Sequence, residues 1–122
     1  MKYMLLIYNN ADALAALPDD ERTALMDEAG AIMEQLTASG ELVGGAALAH
    51  PRQARTVLFR GGAPATTDGP FIESKEQFAG YVTVDVVSEA RAVEIARNWP
   101  DARLGSGALK VREVLDAPVD DA

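Results

Sequence analysis

At 122 residues the chain has the length of one domain and can bury a real core without covalent staples. It contains no cysteine and a single histidine, His50, which excludes disulfides, thiolate metal centres, cysteine nucleophiles and a multi-histidine site within one copy. Eleven Lys+Arg against nineteen Asp+Glu leave a net charge of −8, the opposite of the basic stripe that a nucleic-acid surface needs.

The first element is a strand over Lys2 to Tyr8, apolar on both faces: Tyr3, Leu5 and Ile7 on one, Met4, Leu6 and Tyr8 on the other. The apolar run stops at Asn9-Asn10, too short for a signal-peptide core or a membrane span. A bacterial-type cytoplasmic location with no membrane partner is the expectation. Ala11 to Leu17 reads as a loose helical turn. A longer helix starts near Pro18, where a missing N–H is harmless, and Asp19, Asp20 and Glu21 complement its positive end. Leu25, Ala29, Ile32 and Leu36 form its core stripe, Gly30 is read as a close approach to the sheet, and Gly40 stops the helix.

Glu41 to Ala49 is ambiguous, with a bend suggested at Gly44-Gly45. Arg55 to Arg60 is read as the second strand, Gly61-Gly62 with Pro64 as a turn, and Thr66 to Glu73 as irregular. Gly80 to Val87 is the third strand, with Val82, Val84 and Val86 on one face. Ser88 caps a second helix whose apolar face is Ala92, Ile95, Ala96 and Trp99, and Pro100 ends it. Ala108 to Leu115 is the last strand, with Leu109, Val111 and Leu115 inward. Residues 1–115 thus form one domain, followed by a short acidic tail at 116–122.

The order strand–helix–strand–strand–helix–strand predicts an α+β fold: a ferredoxin-like βαββαβ antiparallel sheet with two helices on one face. Two helices cover one face only, yet the first strand is apolar on both. A second copy of the chain, sheet against sheet, is the simplest cover, so a homodimer is expected. Charge is uneven along the chain: residues 51–60 carry Arg52, Arg55 and Arg60 with no acid, between a segment with two basic and eight acidic residues and one with six and eleven. That arginine cluster is the candidate site for an anionic ligand.

The segment from Asp68-Gly69-Pro70-Phe71 to Tyr81 carries the candidate chemistry. Gly69-Pro70 fixes the backbone and aims Asp68, and a carboxylate desolvated by Phe71 and Phe78 would serve as general acid or base. The alternative is an ordinary turn aspartate. Tyr8, Arg60, Phe71, Glu73, Lys75, Glu76 and Tyr81 are the candidate ligand-binding residues. No zinc spacing is present, and no metal centre and no cofactor are expected; the alternative is a metal site from His50, Asp68, Glu73 and Glu76 shared across a dimer. No phosphate loop, dinucleotide fingerprint or nucleophile elbow is present.

Asp68-Gly69-Pro70-Phe71, followed by Glu73, Lys75-Glu76 and Gly80-Tyr81, resembles the signature of the DGPF-domain, YCII-related proteins. So do the opening Met1 to Tyr8, the Glu- and Ala-rich helix, Gly44-Gly45 and the closing Val111-Arg112-Glu113-Val114. The resemblance implies a ferredoxin-like fold assembled as a dimeric α+β barrel with a deep cleft near the dimer interface. It also implies an association, in some members, with extracytoplasmic-function sigma factors. Some distant relatives are enzymes of chlorinated aromatic diols that use a His/Asp pair. This chain has no histidine in its first helix, and His50 lies in the loop before Pro51, so that pair is not carried over. Two readings follow: a small-molecule enzyme centred on Asp68, or a non-catalytic binding or regulatory module.

Overall fold

The first strand, β1 (Lys2–Asn9), runs up the middle of a four-stranded sheet. The computed structural model describes residues 1–71, 76–105 and 107–115. In chain order β1 is followed by α1 (Ala11–Ala15), α2 (Asp19–Ser39), β2 (Leu42–Ala47), the pair β3 (Arg55–Arg60) and β4 (Ala63–Asp68), then β5 (Gln77–Asp85), α3 (Glu89–Arg97) and β6 (Ala108–Glu113). Two 3₁₀ turns, Pro51–Gln53 and Pro100–Arg103, precede β3 and β6. The molecule is therefore α+β, with antiparallel sheets and three α-helices among the described residues.

The sheet order is β2-β5-β1-β6, with every neighbouring pair antiparallel. Tyr3, Leu5, Val82, Val84 and Val86 share one buried cluster with Leu36 of α2, with Ala92, Ile95 and Ala96 of α3, and with Trp99. Helices α2 and α3 therefore cover the same face, as the apolar periodicity predicts. Each helix is capped as its sequence suggests. Ser88 Oγ accepts from the Arg91 N–H, and Gly40 closes α2 with φ of 79°, a left-handed conformation that glycine adopts freely. The guanidinium of Arg91 clasps both oxygens of Glu41 at 2.9 Å each, joining α3 to the residue before β2.

The second strand of the sheet is Leu42–Ala47, the segment left ambiguous in the sequence, and not Arg55–Arg60. Arg55–Arg60 pairs instead with Ala63–Asp68 in a separate two-stranded hairpin. The turn at Gly61 and Gly62 has φ of 60° and 79°, the doubly left-handed geometry that matches strand twist in a two-residue hairpin. Residues 66–68, read as irregular, are thus strand. Three packing expectations are also corrected. Gly30 is exposed with no neighbour near its Cα hydrogens, Leu25 is only half-buried, and Leu115 faces solvent at 79%. Helix α3 ends at Arg97, and Pro100 opens the 3₁₀ turn beyond it. Cross-strand register places Met4, Leu6 and Tyr8 beside Thr83, Tyr81 and Phe78 and beside Arg112 and Lys110, on the face opposite the helices.

Candidate functional site

The hairpin carries Asp68 to its open end. Arg55 and Asp68 are direct cross-strand partners, and their side chains form an ion pair that leaves Asp68 83% exposed. After Asp68 the chain turns through Gly69 at φ of 86°, which a side chain would strain. The turn is strapped to the strand start: the Gly69 N–H donates to the Ala54 carbonyl at 2.7 Å, and Thr56 Oγ1 donates to the Gly69 carbonyl at 2.7 Å.

Beside this turn lies a hollow of about 440 Å³ walled by Leu48, His50, Pro51, Ala54, Pro70 and Phe78 among others. Its size is typical of a small-molecule site. Phe78 belongs both to the hollow and to the face of the sheet away from the helices, where its ring meets Tyr8 at 5.6 Å between centroids. Lys110 Nζ stands 5.0 Å from the Tyr8 centroid, within cation–π range.

His50 is held from both sides. Its Nδ1 accepts the Arg52 N–H at 3.1 Å, capping the turn Pro51–Gln53, so the proton of the neutral ring is on Nε2. That nitrogen donates to Asp12 Oδ1 at 2.9 Å. Asp12 sits in α1, whose start is capped by Asn10 accepting from the Ala13 N–H. A His/Asp pair thus exists, built from a loop histidine and an α1 carboxylate 38 positions apart, a separation that no local motif encodes.

The remaining candidates are dispersed. Arg60 lies at the turn end of the hairpin opposite Ala63, five residues of extended strand, roughly 17 Å, from Arg55 and its partner Asp68. Phe71 is exposed and Glu76 follows the turn at the surface. Tyr81 is half-buried on β5, on the same face as Tyr8. Glu73, Lys75 and the acidic tail at 116–122 lie outside the described residues. The partner of the buried Tyr3 hydroxyl is Glu113, at 3.4 Å, and burial followed by that carboxylate's charge raises the Tyr3 pKa. No group of three or more His, Cys, Asp or Glu among the described residues is arranged to hold a metal. No helix among them is long and apolar enough to cross a membrane.

A second concavity, of about 400 Å³, opens between the sheet and the helix side, lined by Ile7, Asn9, Met33, Ala47, Trp99 and Asp101 among others. The sequence places Trp99 on the apolar face of the second helix. The tryptophan is buried as expected, and it also walls this cleft.

Comparison with known proteins agrees with the motif. The YCII-related domain matches residues 1–117. An uncharacterized protein of Rhizobium meliloti (strain 1021) is 30% identical over 112 residues, covering 92% of this chain and 90% of its own length. The chain belongs to the YCII-related domain family.

Proposed function

We propose that this chain is a ferredoxin-like half of a two-fold dimeric α+β barrel, which binds a small aromatic or anionic molecule in the hollow beside the Gly69-Pro70 turn. One observation carries the reading: Phe78 joins that hollow to the apolar sheet face formed by Met4, Leu6, Tyr8 and Tyr81. A second copy laid on that face would cover its apolar side chains and close the mouth of the hollow at the same time. Arg52 and Arg55 flank the hollow's lining at Pro51, Gln53 and Ala54, which suits a ring bearing a negative group. With both ring nitrogens of His50 engaged and Asp68 paired to Arg55, binding is favoured over catalysis.

Light scattering on the eluted protein tests the assembly: a species of twice 12.9 kDa is expected at micromolar concentration. Benzoate tests the hollow. At 100-fold over its dissociation constant it should stabilise the fold by roughly 2.7 kcal/mol, and Phe78→Ala should remove the effect. A monomer whose melting is indifferent to aromatic acids overturns the proposal.

A catalytic reading rests on the Arg55–Asp68 pair: an anionic substrate that takes Arg55 would release the Asp68 carboxylate to act as acid or base. A regulatory reading, in which the acidic chain meets a basic segment such as one of a sigma factor, rests on the net charge of −8.

A further inference from the structure

We infer that the cleft on the helix side of the sheet is a second ligand site, built for a compact apolar molecule that carries an ammonium group. The cleft exists because the facing positions of β2 and β5 are small. Gly45, Ala47 and Gly80, on the face shared with Ile7 and Val82, line it, where a helix-covered sheet ordinarily presents branched side chains. Two of them are glycine for a backbone reason. A Cβ on Gly80 would sit 2.6 Å from the Ala46 carbonyl oxygen, and one on Gly45 would sit 2.5 Å from that of Tyr81. The close approach of the strands thus leaves a bare floor. Met33 of α2 and Trp99 supply apolar walls. The volume, about 400 Å³, exceeds twice the roughly 150 Å³ that holds a benzene ring, so a ring with a short side arm fits.

The polar end of the cleft sets the charge of the ligand. Asn9, buried at the end of β1, donates from Nδ2 to Asp101 Oδ2 at 2.9 Å, and both residues line the cleft. Asp101 forms no ion pair among the described residues. The nearby arginines are engaged elsewhere. Arg22 is held by Asp19 and by the carbonyls of Ala15 and Leu17, and Arg103 by Glu28. A carboxylate oriented by a neutral amide at the edge of an apolar cleft prefers a cationic donor and rejects an acid, because partial desolvation strengthens both effects. This site differs from the hollow at the Gly69-Pro70 turn in lining and in the sign of charge it favours.

Trp99 is the chain's single tryptophan and reports directly on the cleft. Titration of the full chain with 2-phenylethylamine at neutral pH, followed by the Trp99 indole N–H resonance, should give a saturable shift. Phenylacetate should bind at least tenfold more weakly. Asp101→Asn keeps an acceptor for Asn9 and should weaken the amine at least tenfold, while Ala47→Phe fills the cleft and should abolish the shift with the melting temperature of the chain retained. The inference is overturned if Trp99 does not respond to the amine, if acid and amine act alike, if Asp101→Asn binds the amine as the parent does, or if folded Ala47→Phe still shows the shift.

Discussion

The four-stranded sheet and the two-stranded hairpin are both antiparallel, yet they are held by different forces. In the sheet, Leu5 and Val84 are completely buried, and Arg91 of α3 is tied to Glu41, the residue before β2. The hairpin leaves Val57 at 60% and Phe59 at 77% exposure, and its chain ends are held by the Thr56 strap and the Arg55–Asp68 pair. Apolar burial carries the first region, local hydrogen bonds and turn chemistry the second. The two α-helices beside the sheet differ in the same way. Helix α3 buries three of its nine residues, whereas α2 buries Leu36 alone among twenty-one, and its Met33 walls the helix-side cleft.

This contrast is open to measurement. The largest effect is expected for Leu5→Ala, which removes a fully buried side chain from the centre of the sheet. Chemical denaturation should show a loss of about 3–5 kcal/mol. The Glu41–Arg91 clasp comes next. Its hydrogen bonds from Arg91, then that from Ser39, lower the Glu41 pKa to about 2. A depressed carboxylate pKa stabilises the fold above the unfolded value and the contribution is lost as pH falls from about 4.5 toward 2. Denaturation midpoints measured across that window should drop for the parent and drop less for Glu41→Gln, which starts lower at neutral pH.

His50→Ala removes a cap and a side-chain tie to α1, and a loss of about 1 kcal/mol is expected. Hydrogen exchange should locate the loosening at residues 50–54. The smallest effect is expected in the hairpin. Asp68→Asn breaks an exposed ion pair and should change stability by less than about 1 kcal/mol. A loss as large as that of Leu5→Ala would show that the hairpin is bound into the same cooperative unit as the sheet.

Much of this architecture was legible because it rests on local chemistry. The alternation of Tyr3, Leu5 and Ile7, the valines of β5, the Ser88 cap and the Gly40 stop each have a meaning within a few residues. The hidden part is non-local. Leu42–Ala47 has one β-branched residue, Val43, followed by two glycines and two alanines, and is recruited by its hydrogen bonds to β5, while Arg55–Arg60 looks like a sheet strand and finds its partner across a two-residue turn instead. The Gly69-Pro70 turn marks Asp68 in the sequence, whereas its pairing with Arg55 follows from the hairpin register alone.

The sequence by itself determined the family motif, the strand and helix periodicities, the absence of cysteine chemistry and the acidic balance, because these are properties of residue identity and short spacing. Only the tertiary structure decided that His50 meets Asp12, that Asn9 meets Asp101, and that small residues of two strands leave a cleft before Trp99. Each of these depends on backbone segments far apart in the chain arriving at one place, and that arrival is set by sheet order and helix packing rather than by any local pattern.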